Sequence, residues 1–138
     1  MSQSDCIFCK IVAGELPATI VDEDEHTLAF MDINPATRGH ALVIPRTHAE
    51  DLLSIEPDEL KAVVVAARRL AHRQKERLGA DGINVINSCG AAAWQTVFHF
   101  HLHVIPRYEN DPLRLPWAPT PGDPAEIAAA AAAISSAT

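Results

Sequence analysis

The sequence predicts an α+β domain, with a five-stranded antiparallel sheet, one long helix and a short N-terminal helix. Three observations predict it. Five short apolar runs bounded by turn residues read as strands. One 22-residue run carries a helical period. The order is strand, strand, strand, helix, strand, strand, which suits an antiparallel sheet served by a single main helix.

Each element has its own signal. Residues 5–13 (DCIFCKIVA) read as a short helix or turn that stops at Gly14. Thr19–Asp22 and Thr27–Met31 are strand-like, and Asp32–Gly39 is a loop with Asn34-Pro35 and Gly39 as turn signals. His40–Pro45 (HALVIP) reads as a buried strand closed by its proline. From Pro57 to Leu78, the residues Leu60, Val63, Val64, Ala67, Leu70, Ala71 and Leu78 recur at three- and four-residue steps on one face. Pro57, Asp58 and Glu59 suit the first turn of that helix, Lys75 and Arg77 the last, and Gly79 the stop. Ile83–Ser88 and His99–Pro106 are the remaining strands, separated by the loop Cys89–Gln95. The prolines 112, 116, 119, 121 and 124 make an extended arm, and Ala125–Ala133 is either a short helix or a frayed end. The expected division is a domain over 1–110 and an arm with an Ala-rich tail over 111–138.

Length and composition bound the function. The chain has 138 residues, 48% of them hydrophobic, enough for one packed core. Its net charge of −7 argues against a general nucleic-acid binder, because backbone affinity comes largely from Lys and Arg. Arg68, Arg69, Arg73, Lys75 and Arg77 read as a solvated basic helix face. No apolar run approaches the roughly 20 residues of a membrane span, and the polar N-terminus lacks a signal-peptide pattern. A cytoplasmic protein is expected. The odd cysteine count (Cys6, Cys9, Cys89) argues against a disulfide framework.

The segment His99-Phe100-His101-Leu102-His103-Val104-Ile105 alternates strictly. In a strand this puts the three imidazoles on one face and Phe100, Leu102 and Val104 on the other. Clustered imidazoles supply a nucleophile, a proton carrier and donors to phosphate oxygens, which suits phosphoryl or nucleotidyl transfer. A metal-chelating ladder is the competing reading.

QTVFHFHLHVIPR (Gln95–Arg107), together with CIFCKI, FMDINP and GHALVIP, resembles the histidine triad (HIT) superfamily, most closely its Hint-like branch of nucleoside phosphoramidases. The resemblance implies the HIT-like fold. It implies that His101 attacks the α-phosphorus of a nucleoside phosphoramidate or similar nucleotide conjugate, giving a nucleotidyl-histidine intermediate that water hydrolyses, with no catalytic divalent ion. His103 would hydrogen-bond phosphate oxygens, and His99 would orient the site from behind. Asp32 matches the ribose-binding acid, since a carboxylate accepts two hydrogen bonds and a ribose offers adjacent hydroxyls. A turn-stabilising Asp is the plain reading beside it. Phe30 and Ile33 match apolar walls around a purine base, with Phe8 a weaker match, and core packing is the alternative for all three. The loop NSCGAAAWQ is one residue longer than the family pattern, so either Asn87 or Ser88 takes the phosphate-binding position. Gln95, Thr96 and Val97 match the segment that approaches the phosphate, and Trp94 stands where the family has glycine.

Cys6-Ile7-Phe8-Cys9 is a C-x-x-C pair. By the same resemblance, Cys6, Cys9, His48 and His99 would hold a structural Zn²⁺ in a closed tetrahedral Cys₂His₂ site. Two unligated buried cysteines are the other reading. His40 matches a family histidine near the triad, or is a satisfied core residue. Family members are homodimers, and the partner's tail, including Trp117, would reach the site. The resemblance leaves open a dinucleoside polyphosphate hydrolase, a nucleotidyl transferase, or a nucleotide- or zinc-binding regulatory module with little turnover. A DNA-end repair activity would require an appended zinc finger or basic region, and neither is in the sequence.

Overall fold

The computed structural model describes residues 3–135. After a single 3-10 turn at Gln3–Asp5 the elements are α1 (Ile7–Val12), β1 (Ile20–Glu23), β2 (Thr27–Met31), β3 (Ala41–Pro45), α2 (Pro57–Leu78), β4 (Gly82–Ile86), β5 (Leu102–Arg107) and α3 (Pro124–Ser135), with a second 3-10 turn at Ala91–Ala93. The strands form one five-stranded sheet in the order β1-β2-β3-β5-β4, antiparallel throughout. The predicted α+β architecture is therefore the observed one.

The sheet is covered on both faces, which explains the near-continuous apolar runs of β2 and β3. Alternate residues serve opposite layers. Ala29, Ala41, Val43, Phe100, Leu102 and Val104 pack with Val63, Ala66, Ala67 and Leu70 of α2. Leu28, Phe30, Leu42 and Ile44 pack with Cys6 and Phe8 at the N-terminal segment. Phe100 is fully buried. Truncation to alanine at such a site costs roughly 3–5 kcal/mol.

The long helix has its predicted bounds, with Pro57 at its start and Gly79 in the left-handed region (φ 69°) as its cap. Its face differs in detail. Val64, counted among the core positions, is 51% exposed, and Ala66 and Gln74 are buried instead. The basic face is not simply solvated. Arg69 contacts Asp22 at 2.7 Å and Asp24 at 2.9 Å, and Arg73 contacts Asp22 at 3.2 Å, so two cations clamp α2 to the sheet edge.

Element boundaries move by one to three residues. β4 ends at Ile86 rather than Ser88. β5 begins at Leu102 rather than His99, because Phe100 N–H donates to Ala49 O (2.7 Å) and the Asn87 side-chain amide donates to His101 O (3.0 Å). Those bonds take the chain out of the ladder while preserving its side-chain alternation. The Ala-rich tail is helical from Pro124, with no buried residue. No helix of the described residues is long and apolar enough to cross a membrane.

Candidate functional site

The sheet face that carries α1 also carries the histidines. His99, His101 and His103 point to this one side, as the alternation requires, and they divide into two environments.

The first is a closed donor cluster. Cys6 caps α1, its Sγ accepting from Cys9 N–H at 3.3 Å, so the C-x-x-C spacing turns both sulfurs the same way. Cys6 Sγ lies 3.3 Å from His99 Nδ1, and Cys9 Sγ lies 3.3 Å from His48 Nδ1 and 3.5 Å from His99 Nδ1. The four ligand atoms lie within 4.8 Å of one another. His99 Nε2–H donates to Pro45 O at 2.9 Å, which leaves Nδ1 as a lone pair aimed at the sulfurs. A backbone-anchored imidazole with its other nitrogen free is the usual arrangement of a metal-ligating histidine. Burial, followed by the neighbouring Cys6, pushes the Cys9 thiol up to about 11. A cation would reverse that, because the ligating form is the thiolate. The donor set thus fits a tetrahedral metal ion.

The second environment opens on a cavity of about 590 Å³ lined by Phe8, Phe30, Asp32, Ile33, Thr96, Val97, His40, His101 and His103. His101 Nδ1–H donates to His99 O at 2.8 Å, so its Nε2 carries the free lone pair. Burial pushes the His101 pKa down, against the backbone hydrogen bond and Asp32. A neutral imidazole whose Nε2 lone pair is free of any partner can act as a nucleophile at neutral pH.

His103 is set by a chain of donors. Ala36 N–H donates to His40 Nδ1 (2.9 Å), which forces the His40 proton onto Nε2. That Nε2–H then donates to His103 Nδ1 (2.9 Å), which leaves His103 with its own proton on Nε2. Burial, with His101 and His40 beside it, holds His103 at about 4, so the ring stays neutral. The result is one imidazole with a free Nε2 lone pair and one with an Nε2–H, with ring centroids 5.1 Å apart.

Asp32 combines two uses. One oxygen accepts Asn34 N–H at 2.7 Å, the turn role. The other sits 3.4 Å from His40 Nε2 and faces the cavity. Asp32, His40 and His103 also bring ligand atoms together, but in this tautomer chain His40 Nε2 is a donor and has no lone pair for a metal.

The apolar walls are unequal. Phe30 is buried, with Phe8 against it edge to face at 5.3 Å, and Phe8 also stands 5.2 Å from His101. Phe8 is therefore both core and wall. Ile33 is 92% exposed, a rim residue rather than core.

One of the predicted phosphate contacts is committed elsewhere: Gln95 is buried, donating to Glu50 O (2.8 Å) and Val97 O (3.1 Å) while accepting from Gly90 N–H (2.7 Å). Asn87 gives one amide N–H to His101 O, and its buried Oδ1 has no partner among the described residues. Neither they nor Ser88 line the cavity, whereas Thr96 and Val97 do. The loop before Gln95 carries the 3-10 turn at Ala91–Ala93. Trp94 closes that turn at φ 76° and is 74% exposed. Sequence reading missed Ile7, Ile11, Leu16, Pro17 and Leu42 as lining. Leu42 was available from the alternation of HALVIP, while Leu16-Pro17 offers no periodic signal.

The HIT domain model matches residues 13–110. An uncharacterized HIT-like protein from Methanocaldococcus jannaschii is 49% identical over 106 residues, covering 77% of this chain and 81% of that protein. A Zn-bound histidine triad family protein from Mycobacterium smegmatis superposes with a TM-score of 0.78 at 44% identity, covering 86% of each chain. A histidine triad nucleotide-binding protein from Candida albicans superposes at 0.81 with 30% identity, covering 94% of each chain.

Proposed function

The chain belongs to the HIT domain family, and from that premise we propose that it hydrolyses a nucleoside phosphoramidate or similar nucleotide conjugate at its α-phosphate, with His101 as nucleophile. The observation that carries the reading is the pair of fixed tautomers in one cavity, a lone pair on His101 Nε2 and a proton on His103 Nε2.

His101 Nε2 forms a bond to the α-phosphorus as the bond to the leaving amine breaks. The amine takes up a solvent proton. The imidazole becomes a cation, which His99 O stabilises through Nδ1–H. His103 Nε2–H donates to a non-bridging phosphate oxygen where charge accumulates. Water then attacks the phosphorus, the Nε2 lone pair returns to His101, and one proton leaves with the solvent. A base, purine by size, lies between Phe30, Phe8 and the Ile33 rim, and the cavity-facing oxygen of Asp32 accepts from a ribose hydroxyl. The backbone of Thr96 and Val97 flanks the phosphate.

The metal reading is Zn²⁺ held by Cys6, Cys9, His48 and His99. It is supported by the donor geometry and by the Zn-bound relative. Such an ion supplies a structural crosslink between α1 and the sheet. Residues 1–110 are assigned as the catalytic unit, 111–138 as an appended arm, and the working protein as a cytoplasmic homodimer.

The test is kinetic. Adenosine phosphoramidates and diadenosine polyphosphates are offered to wild type and to His101→Ala. Turnover of the phosphoramidate by wild type and loss of about 10³-fold or more in His101→Ala are expected, as for removal of a nucleophile. Wild-type inertness toward both substrates defeats the enzyme reading and favours a binding module. Preference for the polyphosphate reassigns the leaving group.

A further inference from the structure

We propose that a groove on the α2 side of the sheet is a second ligand site, for a small apolar carboxylate that also carries a neutral N–H or O–H donor. The groove encloses about 400 Å³ between α2, the β1–β2 edge and Gly39. Val21, Met31, Leu70 and Leu78 give it an apolar floor. Arg38, Arg73 and Arg77 stand around it. Arg73 is partly neutralised by Asp22 at 3.2 Å, but the Arg38 and Arg77 guanidiniums have no ion pair or hydrogen bond with the described residues. Two free cations beside an apolar trough, on a chain of net charge −7, favour an anion with an apolar body.

Gln74 adds an independent requirement. It lines the groove and is only 3% exposed. Its Nε2 donates to Gly39 O and Val104 O, both at 3.0 Å, which fixes the orientation of the amide. Its Oε1 is then a buried acceptor with no partner. Buried polar groups are rarely left so, because each lost hydrogen bond costs stability. A ligand satisfying all three features has an apolar side chain, a carboxylate for Arg38 and Arg77, and a donor for Gln74. Because the nearby cations repel an ammonium, the donor is neutral. An N-acylated apolar amino acid has this chemistry. Met31 lines both this groove and the histidine cavity, which lie on opposite faces of the sheet, and no triad histidine borders the groove. The inference stands whether or not the nucleotide reading does.

The probe is N-acetyl-L-leucine, titrated into the full chain by calorimetry and by amide chemical shifts. Saturable binding is expected with Kd of about 1 mM or tighter, the range open to so small a ligand, with shifts at Gly39, Gln74 and Leu78. N-acetyl-L-leucinamide, which lacks the carboxylate, and the Arg38→Gln/Arg77→Gln variant should each weaken binding about tenfold. 4-Methylpentanoate, which lacks the N–H, should bind several-fold more weakly. Because Gln74→Leu also strands two carbonyls, the ligand series and the surface arginines carry the test. No saturation up to about 10 mM, equal binding of the amide, an unaffected double variant, or shifts centred on His101 and His103 would each overturn the proposal.

Discussion

At the scale of single residues, the site depends on where protons sit, and two backbone groups decide that. His99 O holds the proton of His101 on Nδ1, and Ala36 N–H drives the proton of His40 to Nε2 and hence that of His103 to Nε2. His40 therefore acts through His103 as a positioning residue. His40→Ala should lower kcat by about 10- to 100-fold, the 1–3 kcal/mol of a buried group left without its partner, with little change in KM. Nitrogen-15 spectra should show His103 drifting from the Nε2–H to a mixed tautomer. A fixed tautomer with lost activity would show that His40 does something else. The triad face was legible because a period of two needs no tertiary information. The roles of Asn87 and Gln95 were not, since both belong to a polar set whose partners lie far off in sequence or on the backbone. Asn87 is tied to His101 O, and Gln95 is tied to Glu50 O.

At the scale of elements, α1 is the most dependent piece. Six residues are too few to hold a helix in water, so packing and the cysteines must hold it. Yet Ile7, Phe8 and Ile11 of α1 line the cavity. A metal held by Cys6, Cys9, His48 and His99 would thus be coupled, through one short helix, to ligand affinity in the cavity that His101 lines. Chelation, or Cys6→Ser/Cys9→Ser, should lower amide-exchange protection in α1 while β3 stays protected, and should weaken AMP binding by about tenfold, roughly the loss of one apolar wall. Unchanged protection in α1 would separate the helix from the metal. The C-x-x-C pair was legible as a motif, but its two histidine partners, 39 and 90 residues or more away, came only from family resemblance. The long helix was read to its ends, since caps are local. Its buried face was not, because the sheet chose Ala66 and Gln74 over Val64.

At the scale of the whole molecule, alternation and element order were enough for the architecture, because a sheet covered on both faces leaves few ways to arrange five strands and one long helix. Strand ends and the Arg69 clamp depended on contacts that local sequence does not encode. The same clamp and the histidine cluster together set how the fold responds to acid. Burial raises the Asp24 carboxylate, but His26 N–H, Arg69 and Thr27 outweigh it and hold it at about 2. A folded pKa below the unfolded value of about 3.9 stabilises the protein above pH 4 and is lost as pH falls through 2. His103 acts earlier. Its folded value of about 4 lies below 6.5, so the unfolded chain binds the extra proton between them. Stability is then full above pH 6.5 and falls as pH drops toward 4, by at most about 1.4 kcal/mol per pH unit for this one group. Urea midpoints should therefore decline in two stages, one from 6.5 to 4 and another below 4. His103→Asn, which still accepts from His40 but cannot titrate, should make the first stage shallower without abolishing it, because burial also holds His99 at about 4 and pushes His40 and His101 down, and should leave the second. A decline unchanged in that variant would assign the first stage to other groups, and a flat profile down to pH 4 would contradict the neutral, buried state on which the proton arrangement of the site rests.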